Sequence, residues 1–528
     1  MLLVPERQVV LLKHNHPEAL HSVFPNARIL LPETAAKAGG HNVAIFHGIE
    51  ETKILNNMGI NVPPPMLSYY SWPGKFTPFA HQKTTAAFLS QNPRCFCLNE
   101  MGLGKSASAL WAADYLMEQR LVQKVLIVSP LSTLERVWRN EVFDVLMHRT
   151  AVVLHGSREK RLDLLNTDWE FAVINFDGLK IIADEVKKRK DINLVIVDEA
   201  SNGYRNGSTA RYKTFKKMLQ PWMRLWLMTG TPCPNAPTDA WAMAKLVNPK
   251  NVPEYFGSFQ RMTMHQVTQY KWQPNHEGYK LAYAAMQPGI RFRKEDCLDL
   301  PPVTWQKRDC ELTQQQKDMY KEMHVLMETE AKQTTITAVN AADKINKLRQ
   351  VLCGCIKDTL TGEYIELDYS PRLDVLLECI EEAGAKVIVI VPFKGIVQSL
   401  AQKVGKKYTC AVLNGDVSIK KRNEIIQAFK ETPDPHVLLC HPKVMSHGLT
   451  LTEADTMIFY APIYSNDEAQ QVVERINRPG QTRKMSIIQL GGGHLEWNIY
   501  SLVESRKVGQ ESILNLYKQE LSTKGRAK

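Results

Sequence analysis

The sequence predicts an α/β fold: two tandem parallel sheets, a helical region between them, and a small N-terminal α/β or α+β appendage. Three observations predict it. Short, continuous apolar runs alternate with helical segments in two separate stretches, and a run without polar alternation marks a strand covered by helices on both faces. Only the first stretch carries a glycine-rich turn between a strand and a helix, the arrangement that holds phosphates. At 528 residues the chain has room for about three to four domain-sized units.

Residues 1–74 form the appendage. The runs Val9–Leu12, Arg28–Leu31 and Val43–Phe46 alternate with polar and helical pieces. The stretch Val62-Pro63-Pro64-Pro65-Met66 then stops regular structure, and Ser71-Trp72-Pro73-Gly74 reads as a linker. Residues 75–250 hold the first sheet, with the runs Cys95–Leu98, Val125–Val128, Ala151–Leu154, Phe171–Ile174, Leu194–Val197 and Leu225–Met228. Residues 251–370 are polar and helix-rich. Residues 371–505 hold the second sheet, with Val387–Val391, Cys410–Leu413, Val437–Cys440, Met457–Tyr460 and Ser486–Leu490. Residues 506–528 read as a helical tail, basic at Lys524, Arg526 and Lys528.

Composition narrows the class. Hydrophobic residues make up 44% and charged residues 23% of the chain, ordinary for a soluble globular protein. The net charge of +11 suits a polyanionic partner. No apolar run reaches bilayer length, and the first residues do not read as a signal peptide, so no membrane partner is expected. The 10 cysteines include no Cys-x-x-Cys pair, and Cys95/Cys97 and Cys353/Cys355 are spaced too tightly for a zinc cage. They are expected as reduced, packed thiols of an intracellular protein.

Chemistry concentrates at strand ends. In Asn99-Glu100-Met101-Gly102-Leu103-Gly104-Lys105-Ser106, the turn frees backbone N–H groups and the following helix adds its positive end. Gly104 lets the backbone approach the phosphates, Lys105 would reach the β/γ-phosphates, and the Ser106 hydroxyl would sit on Mg²⁺. Asn99 stands where the general phosphate-loop pattern has its first glycine. Strand Leu194–Val197 ends in Asp198-Glu199-Ala200-Ser201, at the end of a parallel strand where ligands bind. Asp198 can hold the metal, and Glu199 can orient or deprotonate the attacking water. Strand Leu225–Met228 ends in Thr229-Gly230-Thr231-Pro232, two hydroxyls placed as a relay. In the second stretch, Arg475 and Arg478 are three apart; on a helix they would share a face, able to neutralise phosphoryl charge.

In this order, the segments Glu100–Ser106, Asp198–Ala200, Thr229–Pro232 and Arg475-x-x-Arg478-Pro479-Gly480-Gln481 resemble motifs I, II, III and VI of the Snf2-like helicases of superfamily 2. Pro78-Phe79-Ala80-His81-Gln82 resembles the segment before motif I, whose glutamine reads adenine. Ser129–Leu134 resembles motif Ia, Leu312-Thr313-Gln314-x-Gln316 and Leu348-Arg349-Gln350 the inter-lobe region, Leu413–Asp416 with Arg422 the start of the second lobe's DNA-facing motifs, and Ser446–Leu451 motif V. The resemblance spans about residues 77–500 and is greatest to compact phage and prokaryotic versions. Ser201 and Asn477 stand where the family usually has histidine, and Thr450 where it usually has asparagine.

The resemblance implies two RecA-like lobes and a DNA-dependent ATPase using ATP and Mg²⁺. Nucleotide would be held by Phe79, Gln82, the Met101, Gly102, Leu103, Gly104, Lys105, Ser106 loop and Gly448, with Ser106 and Asp198 on the metal. Lys105, Glu199, Arg475 and Arg478 would be catalytic, and Thr229 and Thr231 would couple the sites. From position, Ser132, Thr133, Asn175, Lys394 and Asn414 are expected on nucleic-acid phosphates. The clusters Lys187–Lys190 and Lys420–Arg422 read as solvated faces. The expected activity is translocation on duplex or branched DNA, remodelling forks, branches or bound proteins, in the cytoplasm or nucleoid of a bacterium or phage-infected cell. A strand-separating helicase on single-stranded DNA or RNA, and a non-catalytic DNA-binding scaffold, remain the alternatives.

Overall fold

The computed structural model describes residues 1–268, 271–298, 300–333, 338–358, 362–445, 450–463, 465–501 and 503–504. The chain divides into two compact units, the first Met1–Lys294 and the second opening at Glu295.

The first unit is organised around a seven-stranded sheet in which every neighbouring pair is parallel. Its order is Gly289–Ile290, Arg94–Cys97, Arg224–Met228, Ile192–Val197, Lys124–Ser129, Phe171–Asn175, Ala151–Val153. Because successive side chains leave opposite faces of a strand, each apolar run feeds two cores at once. Leu126, Val128, Val195, Val197, Leu225 and Leu227 pack on one face, and Val125, Ile127, Leu194, Ile196, Trp226 and Met228 on the other.

The second unit repeats the plan with six parallel strands, in the order Val303–Asp309, Met485–Gly491, Ala454–Phe459, Lys386–Ile390, Val437–Cys440, Cys410–Leu413. Val387, Val389 and Leu439 face one core; Ile388, Ile390 and Leu438 face the other. Arg372 and Glu496 form an ion pair inside this unit, with side chains 1% and 0% exposed.

Residues 251–370 depart from the helical segment expected there. Helices Gln314–Gln333 and Ala338–Cys353 are present, but the segment also lends Gly289–Ile290 to the first sheet and Val303–Asp309 to the second. The first unit therefore ends at Lys294 rather than near 250. Val303–Asp309 carries Thr304, Gln306, Lys307 and Arg308 because it is an edge strand open to water along one side.

The N-terminal appendage is α+β. Its antiparallel sheet runs Leu2–Val4, Val9–Leu12, Val43–Phe46, Arg28–Ile29 over a small core that includes Val10, Leu12, Phe24, Val43 and Ile45. Ile49, Met66 and Tyr70 join the larger core beneath helix Lys105–Glu118, and the Tyr70 hydroxyl donates to buried Asp114 of that helix at 2.6 Å. The tail 506–528 lies outside the described residues. All 10 cysteines are unbridged. Among the described residues no helix is long and apolar enough to cross a membrane.

Candidate functional site

In the first unit, strand Arg94–Cys97 leads into a turn and then into helix Lys105–Glu118. Gly102 and Gly104 both have positive φ, +80° and +69°, a region that costs an L-residue about 1–2 kcal/mol. A Cβ on Gly104 would also lie 2.0 Å from the Gln82 Nε2. The torsion thus favours glycine here, and any larger residue would also push the Gln82 amide aside. Gln82 Oε1 accepts from the Phe79 N–H at 2.9 Å, and Nε2 reaches the Leu103 carbonyl at 3.4 Å. His81 bonds the same carbonyl at 3.1 Å, and its burial pushes the imidazole pKa down. Phe79 is 49% exposed and stacks on His81 with centroids 5.7 Å apart. The structure therefore brings Phe79, Gln82 and the loop together.

The Lys105 ammonium donates to the carbonyls of Asn99 and Glu100 at 3.1 and 3.2 Å. Asn99, the position that departs from the glycine pattern, is fully buried. Its Nδ2 donates to Thr85 Oγ1 at 2.8 Å, and its Oδ1 accepts from the Phe292 N–H at 2.9 Å. Glycine could make neither bond.

Asp198 sits at the C-terminal end of strand Ile192–Val197. Burial raises its pKa; the Lys105 charge, a hydrogen bond from Trp138 and the Glu199 N–H oppose that rise. The Trp138 indole N–H donates to Oδ2 at 3.0 Å. Sequence reasoning missed this contact, because a tryptophan in an amphipathic stretch reads as core. Trp138 lies in a π-helical turn, Leu134–Arg139, directly after the motif Ia-like segment, and such turns collect at functional sites. Glu199 adopts a left-handed backbone, φ +48° and ψ +48°. The Ser201 and Thr229 hydroxyls bond each other at 3.0 Å, and Thr229 Oγ1 accepts from the Thr231 N–H at 3.2 Å. Thr229 and Thr231, the residues expected as a relay, are thus tied to the carboxylate segment through Ser201.

The donor set fits a magnesium nucleotide. Ser106 and Asp198 offer hard oxygen donors, and a buried carboxylate that burial destabilises in its charged form gains from a nearby cation. Ammonium and loop N–H groups suit the phosphates.

In the second unit, helix Asn466–Val473 stops before the arginines. Arg475 and Arg478 therefore do not share a helical face but follow one another through turns. The reason is local. Pro479 has no N–H to give the Arg475 carbonyl and disfavours helix at Arg478, and the Leu451 N–H takes that carbonyl at 2.9 Å instead. Each guanidinium turns back on the chain: Arg475 Nε to Gln471 O at 2.9 Å, Arg478 Nε to Glu474 O at 2.8 Å. Arg478 Nη1 also donates to Thr450 Oγ1 at 3.1 Å, joining the motif V-like and motif VI-like segments at one of the departures from the family pattern. Gly448 lies outside the described residues.

Of the positions expected on nucleic acid, Asn175 ends strand Phe171–Asn175 and pairs in register with Ser129, the start of the segment bearing Ser132 and Thr133. Thr133 is 7% exposed and Asn414 5%. The Thr133 hydroxyl bonds Pro130 O at 2.8 Å and Ser129 Oγ at 3.2 Å; Asn414 Oδ1 accepts from the Asp416 N–H at 3.0 Å. Asn175 Oδ1 accepts from Arg161 at 3.3 Å. Lys394 pairs with Asp416 at 2.7 Å and keeps about half its side chain in solvent.

Residues 75–358 match the model of the SNF2-related domain, and residues 371–480 that of the helicase conserved C-terminal domain. The chain is similar to an uncharacterized ATP-dependent helicase of Mycoplasma genitalium, 24% identical over 74% of this chain and 37% of that protein. It is also similar to a RAD54-like DNA repair and recombination protein of Gallus gallus, 22% identical over 78% of this chain and 63% of that protein. The chain thus spans less than two thirds of either relative. Among solved structures it is similar to the Sulfolobus solfataricus SWI2/SNF2 ATPase core in complex with dsDNA, 22% identical over 86% of this chain and 97% of that chain, at a TM-score of 0.41.

Proposed function

The chain belongs to the SNF2-related domain family, and from that premise we propose that it is an ATP-dependent motor that moves on duplex or branched DNA. The observation that supports this most is the phosphate-loop geometry: Gly102 and Gly104 at positive φ lead into helix Lys105–Glu118, and the Lys105 charge opposes the burial-driven rise of the Asp198 pKa at the end of strand Ile192–Val197. Lys105 and the loop N–H groups bind and orient the β/γ-phosphates. Ser106 and Asp198 hold Mg²⁺, which when bound neutralises phosphate charge. Glu199 orients the attacking water and takes its proton. Arg475 and Arg478 supply the charge that the transferring phosphoryl group needs. Thr229, Thr231 and Ser201 carry the state of the nucleotide site toward the segment of Ser132, Thr133 and Asn175, which with Lys394 and Asn414 grips phosphates rather than bases.

ATP turnover measured alone and with duplex DNA, single-stranded DNA and RNA tests the reading. Duplex or branched DNA is expected to stimulate most, and Lys105→Ala and Arg478→Ala to abolish stimulated turnover with the fold intact. Equal or greater stimulation by RNA overturns the duplex assignment. Full turnover in either variant overturns the site.

A further inference from the structure

Beside the phosphate loop runs a segment that neither the motifs nor the family models assign a task. Its two-residue strand, Gly289–Ile290, lies parallel to Arg94–Cys97. The pairing continues past both strands: Phe96 N–H to Pro288 O at 3.0 Å, Leu98 N–H to Ile290 O at 2.8 Å, and Glu100 N–H to Phe292 O at 3.1 Å. At the loop the bonding becomes reciprocal. Arg291, 4% exposed, donates from Nη1 to Leu98 O at 2.6 Å and Phe292 O at 2.8 Å, and from Nη2 to Glu100 Oε1 at 2.8 Å. The Phe292 N–H donates to Asn99 Oδ1 at 2.9 Å, and the Lys294 N–H to Glu100 Oε2 at 3.0 Å.

Asn99 and Glu100 are the two residues whose carbonyls hold the Lys105 ammonium. Both their side chains are fastened by this strap, and the strap ends at Lys294, the last residue of the first unit before Glu295 opens the second. We propose that Arg291, acting through Glu100 and the Leu98 carbonyl, is a positioning residue for Lys105, and that the strap ties the phosphate loop to the chain junction between the units. To reach a phosphate, Lys105 must leave the Asn99 and Glu100 carbonyls. Where those carbonyls stand sets how readily it does so, and a slack strap lets them drift. The inference rests on the nucleotide site proposed above.

The experiment uses the full chain with duplex DNA and reads kcat and KM for ATP separately, with DNA affinity as the control for folding. Glu100→Gln keeps the shape but turns an amide toward the Lys294 N–H. Arg291→Met keeps the bulk and removes every donor. Both are expected to raise KM for ATP at least fivefold with a smaller fall in kcat. Arg291→Lys should recover part of the loss, because an ammonium reaches Glu100 but cannot span Leu98 O and Phe292 O together. If Arg291→Met fails to fold, Glu100→Gln and Arg291→Lys decide. Wild-type KM in these two variants, with Lys105→Ala inactive, overturns the strap and leaves the ATP site standing. Activity in Lys105→Ala overturns the ATP site itself.

Discussion

Trp138→Phe removes the N–H that Asp198 accepts and replaces the indole by a smaller ring. The indole is 0% exposed and its bond to Oδ2 is 3.0 Å long, so no water replaces the donor at low cost. A hydrogen bond to a charged group contributes about 1.5–3 kcal/mol, and each ~1.4 kcal/mol is a factor of ten in rate or affinity. If the bond orients the carboxylate for Mg²⁺, its loss should raise the Mg²⁺ concentration needed for half-maximal turnover, or lower DNA-stimulated kcat, about ten- to a hundredfold. The smaller ring also leaves a void, so some loss of melting temperature is expected. The assay is steady-state ATPase against Mg²⁺ concentration, with thermal melting alongside. A variant that melts lower but keeps wild-type kcat and Mg²⁺ dependence within a factor of two refutes the positioning role and makes Trp138 a packing residue.

Three further outcomes are expected. Gly104→Ala should raise KM for ATP, through its φ of +69° and by displacing Gln82; the rise should shrink in a Gln82→Ala background, and an unchanged rise would assign it to backbone strain alone. In the second unit, Arg372→Met or Glu496→Gln leaves one charged partner stranded and should cost about 3–5 kcal/mol of stability, with the double variant costing less than the sum of the two; additive losses in denaturant unfolding would refute the pairing. Burial lowers the pKa of His47, His81 and His441. The unfolded chain therefore binds protons below about pH 6.5 that the folded chain refuses, and stability falls as pH falls. Melting temperature should drop between about pH 7.5 and pH 5.5, less steeply in His47→Gln; a flat profile refutes the assignment.

Strands buried on both faces were legible because burial on both faces leaves a continuous apolar run, as in Val387–Ile390, where no helix-period polar residue interrupts. The strap was not. Gly289–Ile290 is two residues long beside Pro288, and its place is decided by backbone bonds to Phe96, Leu98 and Glu100 and side-chain bonds to Asn99 and Glu100, all far away in sequence. Val303–Asp309 escaped for the opposite reason, since an edge strand needs no apolar run. The chemistry-bearing residue types at strand ends could be read from motif order. Their local geometry could not: Arg475 and Arg478 have the spacing of a helical face, yet Leu451 takes the carbonyl that Pro479 cannot serve. Nor does the order of residues reveal that the hydroxyl of Thr133 is turned inward onto Pro130 and Ser129.

Glu199 holds a conformation that glycine would occupy at no steric cost, and its left-handed backbone gives up about 1–2 kcal/mol that a different residue would return. Selection for thermal tolerance alone would therefore push this position away from glutamate. The carboxylate at Glu199 marks a place where the molecule is less stable than its fold permits, and any programme of stabilisation by consensus or directed evolution should hold that residue fixed.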